Sequence, residues 1–318
     1  MSYPTDAPTN IPKDQFVKYL DNYIERFDIR PKYQTDIESC SYDEGRKCWF
    51  SMARDMTTSV VVKYMARFLV VASGENSAAN IPMIPGLHEF AGETIHSSRY
   101  KSGASYSGKN VLVVGCGNSG MEIAYDLASY GANTSIVVRS PVHVVTKEII
   151  RLGMTLVRHI PINDVDDLLE RMSNFVFGDL TRHGIVRPKL GPLLLKAKTG
   201  RSVVIDVGTV GLSKDGAIKV LGNISKIKGN IVEFEGGKEN AFDAIVFATG
   251  YKSTANTWLK NGESMLNNDG LHKKEFPNHW TGANGLYCAG LAKRGLAGIA
   301  MDAKNSANDI LSSYHSYT

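Results

Sequence analysis

No two cysteines of this chain stand at C-x-x-C spacing. The four present (Cys40, Cys48, Cys116 and Cys288) form no Cys/His cluster with zinc-ligand spacing. A redox dithiol and a metal site are therefore not expected, and free, mostly buried thiols in a reducing compartment are. No apolar run approaches the roughly 20 residues that span a bilayer. The opening MSYPTDAPTNIPKDQ has no apolar core of the kind a secretory leader needs. Concentrated positive charge is missing too: the net charge is +4 and the Lys and Arg residues are scattered. A nucleic-acid surface needs a basic face, so neither nucleic acid nor membrane is an expected partner. The default is a cytoplasmic globular protein. The 43% apolar and 21% charged fractions fit that class, and 318 residues can bury a core without disulfide staples.

The chain does carry a run of recognisable elements. Asp14–Phe27 has apolar residues at helical spacing. Lys47–Ala53, Ser59–Ala66 and Arg67–Ser73 read as strands, and RFLVVAS has the continuous apolar pattern of a strand covered on both faces. The two prolines of NIPMIPG then mark a connection. Asn110–Gly115 (NVLVVG) reads as a buried strand, Asn118–Ser129 as an amphipathic helix and Thr134–Arg139 as the next strand. That β-α-β order implies a parallel sheet with a right-handed crossover. Residues 146–198 read as helical with breaks at Pro161, Gly178 and Pro188. Short strands follow at Val203–Val207, Lys219–Leu221, Ile231–Phe234, Phe242–Thr249 and Gly285–Ala289, and a helix from about Ala297 to Ser313 ends the chain.

Gly115-Cys116-Gly117-Asn118-Ser119-Gly120 lies between that buried strand and that helix, the context that turns a G-x-G-x-x-G match into a dinucleotide fingerprint. The first glycine serves the tight turn, the second lets backbone approach a pyrophosphate, and the third lets helix and strand pack closely. Arg139 and Ser140 follow the second strand, where NAD-binding chains carry an acidic residue for the ribose hydroxyl. A guanidinium there can hold a 2′-phosphate, so NADPH is expected rather than NADH.

Phe90-Ala-Gly92-Glu-Thr-Ile-His96-Ser-Ser-Arg-Tyr100 fits F-x-G-x-x-x-H-x-x-x-Y, which resembles the signature of class B flavin monooxygenases. LVVASGEN, VLVVGCGNSGMEIAYDL, VVRSPVHV, FDAIVFATGYKS and KRGLAGIAMDAK agree with it. Together they resemble the plant YUCCA flavin monooxygenases, from about Pro4 to the C-terminus. The resemblance implies a two-dinucleotide-binding-domain α/β flavoprotein with a Rossmann-like NADPH domain inserted in an FAD domain. The expected division is 1–84 (FAD domain), 85–248 (NADPH domain with linkers) and 249–318 (return to the FAD domain). It also implies FAD and NADPH as cofactors, with O2 and a small 2-oxo acid as substrates. The reaction would be oxidative decarboxylation of indole-3-pyruvate to indole-3-acetate, in auxin biosynthesis.

The resemblance places Gly74, Glu75, Thr249, Gly250, Gly295, Gly298 and Asp302 near the flavin or the domain junction. His96 and Asn76 are the candidate catalytic residues. A histidine hydrogen-bonded in a loop remains the alternative for His96, and Phe90 and Tyr100 read as packing residues. Gly92 reads as a turn glycine. The family's earlier, FAD-binding glycine turn has no counterpart before Gly115. A β-α-β unit of roughly 60 residues would be lacking by the usual size of such units. The alternative reading is thus a truncated, inactive NADPH-binding chain. A flavin-free Rossmann dehydrogenase is disfavoured by the flavin-monooxygenase signature.

Overall fold

The structure, a computed structural model, describes Pro4, Pro8 and residues 11–315; most of the expected irregular lead-in lies outside these. Two compact units result from the packing. One holds the described residues up to Leu69 together with Thr257–Asn261, and the other holds Val70–Asn256 with Gly262 onward.

The first unit contains helix α1 (Lys13–Arg26) and an antiparallel meander of β1 (Thr35–Asp43), β2 (Cys48–Asp55) and β3 (Val61–Ala66). Trp49 on β2 is its most buried large side chain, and Tyr42 packs on it with ring centroids 5.2 Å apart. α1 buries none of its residues: Val17, Leu20 and Tyr23 each stay more than a third exposed. β1 was not expected, because TDIESCSYD buries only Cys40 and shows no clean alternation.

In the second unit the chain passes from β4 (Leu69–Val71) through β5 (Ala78–Ala79) to β6 (Glu93–His96), β7 (Asn110–Val114), α2 (Asn118–Ser129) and β8 (Asn133–Val137). Next come β9 (Val144–Val145), α3 (Lys147–Leu156), α4 (Ile162–Phe177), α5 (Pro192–Thr199), β10 (Val204–Ile205), α6 (Thr209–Lys214) and β11 (Ile218–Leu221). β12 (Ile224–Lys228), β13 (Ile231–Phe234) and β14 (Glu239–Ala241) form a meander. β15 (Ala244–Phe247), β16 (Tyr251–Lys252), α7 (Ala255–Trp258, whose last two residues belong to the first unit), β17 (Leu286–Cys288) and α8 (Gly295–His315) complete the order.

The central sheet has the order β11-β8-β7-β15-β6, and every pairing in it is parallel, as the β-α-β reading required. Its middle strand explains the burial. Val111 and Val113 enter the core under α2, while Leu112 and Val114 enter the core under the β12–β14 meander. Side chains alternate across a strand, so a strand covered on both faces must be apolar at every position. The strand expected at Arg67–Ser73 is present but shorter, and it is not covered on both faces. The strand is only Leu69–Val71, Val71 alone is buried, and Val70 is 44% exposed.

Three of the four cysteines are buried and Cys116 is half-buried, all as free thiols. Among the described residues no helix is long and apolar enough to cross a membrane, and no cluster of side chains suits a metal ion.

Candidate cofactor and substrate sites

The glycine turn closes at the C-terminal end of β7, where open α/β sheets bind ligands. Gly115 has φ +109°, a conformation that L side chains avoid, and a Cβ there would meet the Ala248 carbonyl at 2.5 Å. A Cβ on Gly120 would lie 1.9 Å from the Gly115 carbonyl, so this glycine lets α2 pack onto the turn. Gly117 differs from both. Its φ is −73° and a Cβ there would meet nothing within 4 Å. Solvent-facing room beside an N-terminal helix residue is what a diphosphate needs in order to reach backbone N–H groups. Gly117 caps α2 with no side-chain hydrogen bond, so the first amides of the helix are left for a ligand. Ser119 is exposed at the same end.

Asn118 does not share that freedom. Its Nδ2 donates to the Val203 carbonyl at 3.0 Å and its Oδ1 accepts from Ile205 N at 2.8 Å, tying the start of α2 to β10. Arg139 is exposed and Ser140 half-buried beyond β8. A second guanidinium stands beside them that sequence reading did not single out. Arg201 donates through Nη2 to the Pro141 carbonyl at 2.9 Å. Burial pushes the Cys116 thiol above its ordinary value, and a backbone hydrogen bond and the charges of Arg201 and Arg139 oppose that rise. Sixty residues separate Arg201 from Pro141, and no spacing rule could have paired them.

The second group of expected residues gathers around the Gly250 carbonyl. It accepts from Asn80 N at 3.0 Å and from His96 Nε2 at 2.9 Å. A carbonyl only accepts, so Nε2 carries the proton, and Nδ1 accepts from Ser98 N at 3.2 Å. His96 is 4% exposed and braced on both nitrogens. Thr249 Oγ1 donates to the Asn80 carbonyl, and β16 pairs with β5, so residues 78–80 and 249–252 are zipped together. Glu75 accepts from Lys293 N at 2.7 Å, linking the 74–76 turn to the approach to α8. Asn76 is exposed. Gly74, Gly250 and Gly295 all have positive φ and open space where a Cβ would stand, as a backbone that lies close to a ligand requires. A Cβ on Gly298 would meet the Arg294 side chain at 2.5 Å.

Gly92 is not a positive-φ turn residue; a Cβ on it would strike the Asp243 carbonyl at 2.4 Å, and close approach is the reason for glycine. Phe90 and Tyr100 do pack against the two sheet cores, but Tyr100 also donates to Asp126 at 2.7 Å. Asp302, expected near the flavin or the domain junction, is fully buried. Its carboxylate accepts from His279 Nε2 at 2.8 Å and from Gly290 N at 3.2 Å. His279 and Asp302, 23 residues apart, were not joined by any sequence motif.

A parallel sheet with a glycine turn after β7, and a second set of small residues at the ends of β4 and β15, is the arrangement of the two-dinucleotide type of flavoprotein. This chain belongs to the flavin-binding monooxygenase-like family, whose profile matches residues 1–303. Among its relatives, the probable indole-3-pyruvate monooxygenase YUCCA10 of Arabidopsis thaliana is 49% identical over 98% of this chain and 82% of its own length. The indole-3-pyruvate monooxygenase YUCCA6 of Arabidopsis thaliana is 44% identical over 97% of this chain and 75% of its own. The solved complex of OTEMO with FAD and NADP superposes with a TM-score of 0.66 at 15% identity, covering 95% of this chain and 71% of that one. Its likeness is one of fold.

Proposed function

We propose that the chain is an NADPH- and FAD-dependent monooxygenase that converts indole-3-pyruvate to indole-3-acetate, acting in the cytoplasm. The observation that carries this reading is the 49% identity, over nearly the whole chain, to a relative named for that activity. The geometry of the glycine turn supports the nicotinamide half. Gly117 and the first amides of α2 would take the diphosphate, and Arg139 with Arg201 the 2′-phosphate. The open backbone at Gly74, Gly250 and Gly295 would lie against the flavin, with Thr249 and Glu75 holding those segments in place. His96 would act by bracing the Gly250 carbonyl rather than by moving a proton. On this reading residues 85–248 form the NADPH domain, between FAD-domain segments 1–84 and 249–318. The bound cofactors would supply hydride transfer and oxygen activation, and the protein would position them and exclude water.

The test is direct. Purified protein supplied with FAD should be yellow, oxidise NADPH in the presence of indole-3-pyruvate, and release indole-3-acetate detectable by mass spectrometry. A second reading, an NADPH-binding chain without flavin, draws on a different observation: the described residues hold a single strand–turn–helix of this kind, at Gly115–Gly120. It expects NADPH affinity with no flavin absorption after incubation with FAD. Retention of FAD would exclude it.

A further inference from the structure

The chain holds 11 prolines, and Pro141 alone among them follows a serine or a threonine. It stands in the irregular stretch between β8 and β9, with Arg139 and Pro141 exposed and Ser140 half-buried between them. Proline fixes its own φ, removes a backbone N–H and biases the residue before it toward extended backbone. A Ser-Pro step outside helix and strand is the form of chain that proline-directed protein kinases accept. The Ser140 hydroxyl makes no hydrogen bond among the described residues, so the fold does not tie it down.

The surroundings of that hydroxyl are cationic. Arg139 precedes it in the chain, and Arg201 donates through Nη2 to the carbonyl of Pro141, the next residue, at 2.9 Å. That bond uses one N–H of a guanidinium that has five. Among the described residues neither Arg139 nor Arg201 makes an ion pair. The Ser140 carbonyl, in turn, lies 4.0 Å from the thiol of Cys116, a residue of the glycine turn. A phosphate on Ser140 would therefore be formed beside two unpaired guanidiniums and next to the Gly115–Gly120 turn. These are the two cations assigned above to the 2′-phosphate of NADPH.

We propose that Ser140 is a phosphorylation site, and that its phosphate closes the NADPH site by occupying the guanidiniums that the 2′-phosphate of the cofactor needs. The proposal rests on the reading of Arg139 and Arg201 as ligands of that 2′-phosphate. A proline-directed kinase supplies the phosphoryl group from ATP. The Ser140 oxygen attacks the terminal phosphorus, its proton passes to a base of the kinase, and the bond to ADP breaks. The product carries a charge of about −2 near neutral pH and three acceptor oxygens, enough for charge-assisted bonds to both arginines. Held in the same chain, it competes with the cofactor at a high effective concentration. NADH lacks the 2′-phosphate, so its binding feels only the weaker repulsion between the new phosphate and the diphosphate.

The test uses the full chain supplied with FAD, as wild type and as Ser140→Ala, each incubated with ATP and a mitogen-activated protein kinase as the probe. Peptide mass spectrometry should find phosphate on Ser140 of the wild type and none on the same peptide of Ser140→Ala. Calorimetry should then show NADPH affinity at least about tenfold lower in the phosphorylated wild type, the worth of one charge-assisted contact. A phosphatase should restore it, kinase treatment of Ser140→Ala should change nothing, and NADH affinity should fall far less. A second form, with phosphoserine installed at position 140 by codon suppression, reads the same loss without any kinase. No phosphate on Ser140 after kinase treatment would overturn the modification site. Equal NADPH affinities with and without the phosphate would overturn its effect, and so would an equal loss for NADPH and NADH, the sign of a distorted turn. Unmodified protein that binds NADPH no more tightly than NADH is a distinguishable result: it removes the 2′-phosphate reading of Arg139 and Arg201, and the proposal with it.

Discussion

Gly117 and Gly120 stand three residues apart in one turn, yet a methyl group would meet very different surroundings at the two. At Gly120 it would enter the Gly115 carbonyl, so the backbone of the turn must move. Gly120→Ala should therefore destabilise the protein by about 1–3 kcal/mol, the usual range for overpacking against a rigid neighbour. Urea unfolding reads this, and an unchanged midpoint would contradict the packing role. The two guanidiniums make a separate prediction. Arg201→Ala should weaken NADPH binding by about tenfold, the worth of one charge-assisted contact. NADH binding should hardly change, since NADH lacks the phosphate. An equal loss for both cofactors would remove Arg201 from the 2′-phosphate site. Arg139 could be found from its place after the second strand of the β-α-β unit. Arg201 and His279 could not, because their partners are brought to them only by the folded chain.

At the scale of elements, α5 depends on a carboxylate from α4. Asp166, 3% exposed, accepts from Leu193 N at 2.8 Å and from Leu194 N at 3.0 Å, and so satisfies the first amides of a helix that opens with Pro192. Gly191 must be glycine here, since a Cβ would lie 2.4 Å from the Asp166 side chain. Asp166→Ala should cost about 2 kcal/mol, as for a buried helix cap. Asp166→Asn, which keeps one acceptor oxygen, should restore part of that in the same unfolding measurement. Equal losses in the two variants would argue against the capping role. The central β-α-β unit was legible from sequence, with α2 expected and found at Asn118–Ser129, because each of its elements is long and strongly patterned. β1 was not, because a half-exposed strand carries little apolar periodicity and takes its structure from neighbours.

For the whole molecule, several buried groups resist ionisation in alkali. Burial pushes the Cys288 thiol up to about 12 from 9.0, helped by the Asp302 charge. Burial also pushes Tyr287 up to about 12 from 10.0, helped by its hydrogen bond to Asp309. Folded-state values above the unfolded ones mean that the native chain holds protons the unfolded chain has released. These contributions are complete below about pH 9 and are lost as pH rises toward 12. Stability should fall through that window, and Cys288→Ala should fall less steeply than the wild type. Parallel alkaline limbs would contradict this.

The role of the glycine turn as the seat of NADPH is tested most directly by the Gly117→Ala variant, in which the new methyl meets no protein atom within 4 Å. A thermal melt alongside a titration with NADPH reads both consequences. The predicted result is an unchanged melting temperature with at least about a tenfold loss of NADPH affinity. A variant as stable as the wild type that still binds NADPH equally well would contradict it.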